Sequence, residues 1–487
     1  MNHHQLRFDL SAAARRSMQE HGFELDFPPA AVQQVEQLRE HPPQPAEDAR
    51  DLRGLLWSSI DNDTSRDLDQ IEYVEAEADG SYRVLIGIAD VDAFVPNGSP
   101  IDQHALRETT TVYTGVDIFP MLPEELSTGW TSLLEGQERA AMVVEFTVNA
   151  QGQVTGGEFY RARVVNRAQL AYPSIGAWLA GEADPPAKVA ASKELQQQLH
   201  MQNEIAGRLR GERQSHGALN LQTIETHPIR LSDGEIEIEA EKKNLATKLI
   251  EDFMIAANGV AARTFEAKHL SSIRRVVKTP KRWDRIVELA GEMGTRLPAE
   301  PDPKPLHDFL CEQEKKDPVH FPDLSLAVIK LLGPGEYVLV RAGQPSEGHF
   351  GLAVEDYTHS TAPNRRYADL VTQRLVKGMI AGGRPPYSDD ELASIAAQCT
   401  RMEDAERKVS REMQKRIAAV ALSGRIGQSF DAIVTGVNEH GSFVRTLAPH
   451  VDGMLVRGQQ GVDVGDRLRV QLVRTDPGRG FIDFART

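Results

Sequence analysis

The sequence contains little cysteine and no long apolar segment. Its 487 residues include two cysteines, Cys311 and Cys399, which are too few for a disulfide framework or a thiolate zinc site. No run of 18 apolar residues occurs, and this argues against a transmembrane helix. Residues 1–5 also lack the basic-then-apolar pattern of a signal peptide. Together, these absences predict a protein of the reducing cytoplasm.

Two further absences concern nucleotides and nucleic acids. The sequence has no glycine-rich phosphate loop of the P-loop type, which argues against a nucleotide-driven motor. Lysine and arginine number 55 against 71 aspartates and glutamates, a net charge of −16. A protein that coats nucleic acid without specificity would be basic overall. An enzyme that acts on nucleic acid is not excluded, because its positive residues can be gathered in one channel.

Acidic residues are concentrated in one short segment, which we call the acidic loop. Carboxylates held this close repel one another, so a folded chain needs a strong countercharge beside them. Mg²⁺ is such a countercharge, since it is a hard ion that takes oxygen ligands. We therefore expect the functional site here. Between Ile60 and Glu72 the segment holds five carboxylates within twelve residues: Asp61, Asp63, Asp67, Asp69 and Glu72.

Two other interpretations of the acidic loop are open. Its acids and Ser65 occupy positions 1, 3, 5, 7, 9 and 12 of an EF-hand calcium loop. That motif requires glycine at position 6, where this chain has Arg66. Residues 82–89, which follow, have the β-branched composition of a strand and not of a second helix. The remaining alternative is an acidic loop that is merely solvated.

The patterns along the chain predict a multidomain α+β protein with three regions. Residues 1–52 are predicted to form short helices, one capped by Ser11, one after Pro29, and a further turn over 46–52. A helix-turn-helix-like element and a helical cap on the main domain are both open interpretations. Residues 53–423 predict a large α+β body. Its predicted strands are 82–89, 141–149 and 336–341, and its predicted helices are 246–266, 366–380 and 390–421.

Residues 424–487 have a different pattern. Short alternating runs are separated by turns that contain glycine, aspartate and proline. About five short strands in some sixty residues are typical of a small closed barrel of the OB-fold type. Phe443 lies on one of these strands. It is predicted either to present a stacking surface for single-stranded nucleic acid or to be part of the barrel core.

From about residue 54 onwards, the chain resembles the ribonuclease II family. The acidic loop is similar to that family's catalytic signature, an Ile-Asp followed six residues later by Asp-x-Asp-Asp. The resemblance implies an RNB-type α+β catalytic body followed by an S1 RNA-binding barrel. Family members usually begin with two cold-shock domains, so we expect a short form with helices in their place. Further similar strings follow in the family's order: Ile88–Asp92, Thr111–Tyr113, Phe119–Ser127, Met254–Asn258, Gly348–Leu352 and Thr361–Asp369.

The resemblance implies a role for each acid of the signature. Asp61, Asp67 and Asp69 correspond to ligands of a two-metal site that holds Mg²⁺, with Mn²⁺ as a second candidate. Asp69 is the residue whose loss we expect to abolish turnover without abolishing RNA binding. Gln70 stands where the family has a fourth aspartate, and an amide is a neutral and weaker metal ligand. We hypothesise that Asp63 compensates through a water.

The resemblance also implies contacts with RNA. Arg365 corresponds to the arginine that stabilises the transition state, and Arg366 is the second choice. Tyr113 corresponds to a tyrosine that packs against the terminal nucleotides. Leu221 stands where a stacking phenylalanine is usual. Glu251 resembles a residue that contacts the terminal nucleotide.

By resemblance, the chain is predicted to be a Mg²⁺-dependent, hydrolytic 3′→5′ exoribonuclease. Its substrate would be single-stranded RNA, including 3′-overhang duplexes, and its products 5′-mononucleotides. We expect a monomer, because a channel enzyme needs no partner chain. The alternative is an RNA-binding or regulatory protein in which Gln70 marks a weakened catalytic site. We interpret His349 as a packed, hydrogen-bonded histidine and not as a general base.

Overall fold

The computed structural model describes residues 8–223, 225–230, 236–241 and 243–487. Two helices come first, α1 (Leu10–Glu20) and α2 (Pro29–Glu40). The Asp9 carboxylate accepts a hydrogen bond from the backbone N–H of Ala12 at 2.9 Å. Asp9, and not the predicted Ser11, is therefore the N-cap of α1, since a cap carboxylate accepts from the otherwise unpaired N–H groups of the first turn.

The body is built on a six-stranded sheet. Its strand order is β1-β8-β2-β3-β4-β7, and β7 also pairs with the long strand β8. The predicted turn over 46–52 forms only at its start, where the N–H of Ala49 donates to the carbonyl of Ala46 at 3.1 Å. Arg50 and Asp51 are instead extended and pair in parallel with residues 162–163. The elements of this part are β1 (Arg50–Asp51), β2 (Trp57–Asp61), β3 (Gln70–Ala76), β4 (Tyr82–Ala89), α3 (Pro100–Glu108), β5 (Val112–Tyr113), β6 (Ile118–Phe119), a π-helical turn (Glu125–Trp130), β7 (Glu138–Val148) and β8 (Val154–Ala171).

The second half of the body is mainly helical. The predicted strands 82–89, 141–149 and 336–341 correspond to β4, β7 and β12 (Glu336–Val340). The predicted helices 246–266, 366–380 and 390–421 correspond to α7 (Leu245–Ala267), α11 (Tyr367–Ala381) and α12 (Asp389–Leu422). The elements are α4 (Tyr172–Leu179), α5 (Ala187–Ala190), α6 (Lys193–Ser215), β9 (Glu225–Arg230), β10 (Ile236–Glu241), α7 (Leu245–Ala267), β11 (Ser272–Val276), α8 (Trp283–Glu292), α9 (Pro303–Lys316), α10 (Phe321–Leu332), β12 (Glu336–Val340), a 3₁₀ turn (Phe350–Leu352), α11 (Tyr367–Ala381) and α12 (Asp389–Leu422).

Two hydrophobic cores lie on opposite faces of the sheet, because successive side chains of a strand point to opposite sides. Val84 and Ile86 of β4 are fully buried in the core that α6 and α7 cover. Leu85 belongs to the other core, which includes Leu370 and Val371 of α11. The sheet is therefore covered on both faces.

The C-terminal region is a closed five-stranded barrel with the strand order β13-β14-β15-β17-β16. Neighbouring strands are antiparallel except β15 and β17, which are parallel. Ala418 and Leu422 of α12 pack into the barrel core beside Phe484. The predicted mixed α+β fold with a C-terminal OB-like barrel is confirmed. The strands are β13 (Ser429–Asn438), β14 (Gly441–Thr446), β15 (Asp452–Arg457), β16 (Arg467–Asp476) and β17 (Phe481–Arg486), after a 3₁₀ turn (Ser423–Arg425).

The two N-terminal helices are buried against different parts of the body. Met18 of α1 shares a core cluster with Met402 and Val409 of α12. Val35 of α2 belongs to the core that lies under α3 and α11. This packing accords with the helical cap of the sequence analysis. The division into domains at 1–52, 53–423 and 424–487 stays a prediction. No helix in the described part of the chain is long and apolar enough to cross a membrane.

A buried ion pair connects α11 to α3. Nη1 of Arg374 lies 2.8 Å from Oδ1 of Asp102, and both side chains are about 3% exposed. The same guanidinium donates to Oδ1 of Asp92 at 2.9 Å and to the hydroxyl of Tyr387 at 2.7 Å. A buried charge that loses its partner keeps its desolvation cost. Arg374 is therefore expected to hold this part of the fold together.

We expect Arg374→Met to lower the free energy of unfolding by about 3–5 kcal/mol, because the substitution leaves Asp102 buried without its cation. Urea denaturation followed by circular dichroism measures this change. Arg401→Met is the matched control, since Arg401 is exposed and donates to Gln398. Equal losses in the two variants would contradict the assignment.

Candidate active site

The acidic loop connects β2 to β3, two antiparallel neighbours in the sheet. An EF-hand loop lies between two helices, so the calcium-loop alternative does not hold. Leu68 is fully buried and anchors the loop. Its N–H donates to Oγ of Ser132 at 2.9 Å, and its carbonyl accepts from the N–H of Leu133 at 3.0 Å. Residues 62–69, which lie between the two strands, are thus attached to the body through the backbone and the buried side chain of Leu68.

Asp69 is the most deeply buried aspartate of the loop, with 3% of its surface exposed. Its Oδ1 accepts a hydrogen bond from the backbone N–H of Asn364 at 2.9 Å. Its Oδ2 lies 3.5 Å from Nε of Arg365. Burial raises the pKa of Asp69 to about 7 even though Arg365 opposes the shift. A loop that was merely solvated would not bury this carboxylate.

Asp61 is the last residue of β2. Its Oδ1 accepts from Nε2 of Gln70 at 3.3 Å, whereas its Oδ2 is buried and has no hydrogen-bond partner. Burial and the negative charge of Asp67 raise the pKa of Asp61 to about 7. Gln70 therefore contacts a predicted metal ligand directly. Asp63, the residue hypothesised to compensate for Gln70, is exposed.

Asp67 is held by an aromatic residue from another part of the chain. The hydroxyl of Tyr113 on β5 donates to Oδ2 of Asp67 at 2.5 Å. Burial of this hydroxyl and the nearby charge of Asp67 raise the pKa of Tyr113. The residue as a whole is 43% exposed. Its ring is therefore accessible while its hydroxyl is fixed to the acidic loop.

The two neighbouring arginines have different surroundings. The side chain of Arg365 is 44% exposed and faces Asp69. Arg366 donates through Nε and Nη2 to both carboxylate oxygens of Asp369, at 2.8 and 2.7 Å. The guanidinium of Arg366 is thus committed to a buried ion pair. Arg365 is the arginine that a phosphate near the acidic loop would meet.

Glu72 is one of the five acids of the loop, but the sequence analysis gave it no metal-binding role. It is fully buried, and neither carboxylate oxygen has a hydrogen-bond partner. Burial and the charge of Asp61 raise its pKa well above the usual value. Gln202 lies beside it and donates to its backbone carbonyl at 3.5 Å. Glu72 and the buried Val74 lie on the same face of β3. The sequence alone does not show which face of this strand the core covers, so it could not predict that Glu72 is buried.

Leu221 and Glu251 lie together in another place. They line a cavity of about 640 Å³ whose wall also includes Arg213, Lys243 and Lys248. Nζ of Lys243 lies 2.9 Å from the Glu251 carboxylate. The acidic loop does not contribute to this wall. The structure thus brings these two predicted RNA contacts together, but apart from the aspartates.

Two aromatic side chains of the barrel point away from its core. Phe443 is half-buried, between the buried Ser442 and Val444 of β14. Phe481 at the start of β17 is 51% exposed, and the sequence analysis assigned it no role. Its only sequence signal is that it begins a strand directly after a turn.

His349 of the body is packed, as the sequence analysis expected. Its Nδ1 accepts from the N–H of Leu352 at 3.2 Å, and burial lowers its pKa to about 4.

The geometry of the acids suits cation binding, although they are not tightly clustered. The oxygens of Asp61, Asp67 and Asp69 do not all lie within 4.8 Å of one another. Arg365 nevertheless lies against Asp69 and Tyr113 against Asp67, and the charge of Asp67 acts on Asp61. Carboxylates with an unpartnered buried oxygen and raised pKa values are the donors that a hard divalent cation relieves.

Comparison with known proteins gives the family. A sequence profile of the RNB domain matches residues 49–382. The chain belongs to the RNB family. A second profile, of the C-terminal S1 domain of RNase II-type exonucleases, matches residues 428–487. The family predicted from the acidic loop and the strings around it is confirmed.

Individual relatives of this RNB-family chain carry the name ribonuclease R. The protein from Vibrio cholerae serotype O1 is 31% identical over 448 residues, which cover 88% of this chain and 53% of that protein. The protein from Escherichia coli K12 is 30% identical over 446 residues, covering 88% and 54%. The chain thus spans about half the length of these curated relatives.

A solved structure has the same fold. The RNase R of Mycoplasma genitalium in complex with double-stranded RNA superimposes with a TM-score of 0.84 at 23% identity. The superposition covers 98% of this chain and 83% of that one. At this identity the likeness concerns the fold, and the chemistry must be argued from the residues of the site.

Proposed function

We propose that this RNB-family chain is a Mg²⁺-dependent, hydrolytic 3′→5′ exoribonuclease that degrades single-stranded RNA to 5′-mononucleotides. One observation carries the proposal. Asp69 is buried in the acidic loop, held by the backbone of Asn364, and faces the exposed Arg365. A buried carboxylate opposite an accessible guanidinium is the arrangement that a divalent cation and a phosphate can bridge.

The comparisons support RNA as the substrate. The curated relatives are named ribonuclease R, and the Mycoplasma genitalium RNase R has been solved with ribose-methylated single-stranded RNA and with double-stranded RNA. Duplexes with a 3′ overhang are therefore included among the proposed substrates. A monomeric working state stays part of the proposal.

Asp61, Asp67 and Asp69 would hold the metal, and Gln70 would contribute at most a neutral oxygen. When bound, a pair of Mg²⁺ ions supplies an activated water and neutralises charge that develops on the phosphate. Mn²⁺ is a second candidate, because the oxygen donors of the loop suit both ions. The backbone N–H of Asn364 fixes the direction of one Asp69 oxygen, so this carboxylate cannot rotate away from the loop.

The surrounding side chains would position the RNA. Arg365 offers a planar fork of donors to phosphate oxygens. The accessible ring of Tyr113 would stack on a terminal base, which is a contact without sequence preference. Leu221 and Glu251 would meet the strand further along, in the cavity that Lys248 also lines. Phe443 of the barrel would contact RNA that has not yet entered the body.

The alternative is an RNA-binding or regulatory protein with a weakened site. Gln70 favours it, because the amide replaces the fourth family aspartate. Asp61, Asp67, Asp69 and Arg365 all being present favours the enzyme. The two functions differ in one observable, the appearance of mononucleotides.

In an assay with labelled, single-stranded poly(A) and Mg²⁺, we expect mononucleotides to accumulate. EDTA should prevent their formation. Asp69→Asn is expected to lower the rate by roughly 100-fold or more, because even outer-shell losses at metal sites cost about 10–100-fold. RNA binding, measured by fluorescence anisotropy, should persist in this variant.

Asp79→Asn serves as the control, since Asp79 is an exposed acid in the turn after β3. A retarded but intact RNA with both wild type and variant would favour the binding protein instead. A duplex with a 3′ overhang extends the same assay. Products that shorten only from the 5′ end would refute the proposed direction.

Tyr113 is expected to act through its ring. We predict that Tyr113→Ala weakens single-stranded RNA binding by roughly 1–3 kcal/mol, the usual contribution of a stacked base. Tyr113→Phe keeps the ring and removes only the hydrogen bond to Asp67, so its affinity should stay near that of the wild type. Anisotropy in EDTA measures both without degradation. Equal losses in the two variants would assign the role to the hydroxyl.

Glu72 is expected to supply the charge that Gln70 does not. Its buried carboxylate lies near Asp61 and has no hydrogen-bond partner. We predict that Glu72→Gln, which preserves shape, weakens Mn²⁺ binding by about 10–100-fold, as measured by calorimetry. Glu75→Gln is the control on the same strand. If Asp63→Asn shifts the titration and Glu72→Gln does not, Asp63 is the compensating acid.

A further inference from the structure

A second group of potential metal ligands lies outside the acidic loop. Glu24 belongs to the connection between α1 and α2, whereas His104 and Glu108 belong to α3. One ligand atom from each lies within 4.8 Å of the other two. His104 and Glu108 are four residues apart, and this spacing puts both on one face of a helix. Among the described residues, this is the group of three His, Cys, Asp or Glu side chains whose ligand atoms all lie within 4.8 Å of one another.

His104 supplies the observation that points to a ligand. It is 2% exposed, and its Nδ1 is buried without a hydrogen-bond partner. That atom lies 3.6 Å from Oε2 of Glu24, which is too long for a hydrogen bond. Two ligands of one tetrahedral ion, with bonds of about 2.1 Å, lie roughly 3.4 Å apart. The separation therefore suits a shared cation.

The orientation of the His104 ring is fixed by packing. The ring of Phe27 lies against it, with centroids 4.5 Å apart. A ligand whose orientation is set before the ion binds loses little freedom on binding. The ring thus presents Nδ1 towards Glu24.

Glu108 occupies an unfavourable place for an anion. It is the last residue of α3 and is 4% exposed. The carbonyl end of a helix is partially negative, so it repels a carboxylate and attracts a cation. Oε1 of Glu108 accepts from the backbone N–H of Glu24 at 3.2 Å, and the side chain of Glu24 adds a second negative charge nearby. The guanidinium of Arg107 offsets part of this negative charge, since its Nε lies 3.5 Å from Oε1 of Glu24.

We propose that Glu24, His104 and Glu108 form a structural site for a divalent transition ion of the Zn²⁺ class. One imidazole nitrogen and two carboxylates are ligands that zinc accepts, with water in the fourth position. Two carboxylates and a neutral imidazole balance the charge of the ion. The site joins the α1–α2 connection to α3 and does not depend on the proposed nuclease function.

The position of this site relates it to the acidic loop. Thr109, the residue after α3, is a non-glycine residue with φ of 56°, and its carbonyl accepts from the N–H of Tyr367 at 2.8 Å. The N–H of Thr111 donates to the carbonyl of Arg365 at 3.0 Å. Tyr113 follows two residues later. The ion would therefore stabilise the base of the segment that carries Tyr113 and supports Arg365.

The test uses the full chain after removal of metals with a chelator. Zn²⁺ binding is measured by calorimetry and by the rise of the thermal midpoint. Co²⁺ replaces Zn²⁺ in a second titration, because tetrahedral Co²⁺ absorbs visible light strongly and six-coordinate Co²⁺ in an oxygen site absorbs weakly. We expect one strongly absorbing Co²⁺ per chain. His104→Gln and Glu108→Gln should each lose it and lower the Zn²⁺ affinity by about 100-fold or more.

Two variants keep the test decisive. Glu24→Gln changes a side chain that is 45% exposed, so it should fold even where substitution in α3 does not. It is expected to lower the Zn²⁺ affinity in the same way. His41→Gln, at an exposed histidine after α2, should bind as the wild type does. Absence of the tetrahedral Co²⁺ spectrum in the wild type, or its persistence in Glu24→Gln and Glu108→Gln, would overturn the proposal.

Discussion

The burial of negative charge in one short loop is the constraint on which the site depends. Asp69 and Glu72 are almost wholly removed from water, and one oxygen of Asp61 is buried as well. A buried carboxylate is stable only when it is protonated or when donors and cations surround it. The backbone N–H of Asn364 and the guanidinium of Arg365 meet this need in part. The proposed divalent cation would meet the remainder of this need.

The architecture brings these compensating groups from distant parts of the chain. Asn364 is 295 residues from Asp69 in sequence. It precedes α11, whose apolar face packs on the sheet that carries the acidic loop. The segment after α3 lies between them, since Thr111 bonds to the backbone of Arg365 and Tyr113 to the carboxylate of Asp67. Three separate segments therefore fix one another around the loop, and the buried pair of Arg374 and Asp102 connects two of them.

The errors of the sequence analysis have a common physical origin. The sequence analysis gave Glu72 no role, because the alternation of Gln70, Ile71 and Glu72 does not show whether the face that carries Glu72 is covered. The structure covers that face with α6 and α7, so Glu72 is buried. Residues 46–52 have no strong local preference, and their pairing with β8 decides that Arg50 and Asp51 are extended. The N-cap at Asp9 instead of Ser11 is a shift of two residues, within the uncertainty of any helix boundary.

The sequence by itself determined the family, the acidic loop, the long helices α7, α11 and α12, and the C-terminal barrel. The family follows from the resemblance of the acidic loop and the strings around it to ribonuclease II sequences. The other features depend on local composition and spacing, which the order of residues records directly. Only the tertiary structure decided which acids are buried, that Arg365 and not Arg366 faces the loop, and that Leu221 and Glu251 line a separate cavity. It also brought Glu24 to His104. Burial and proximity arise from contacts between residues far apart in the chain, and local periodicity carries no record of them.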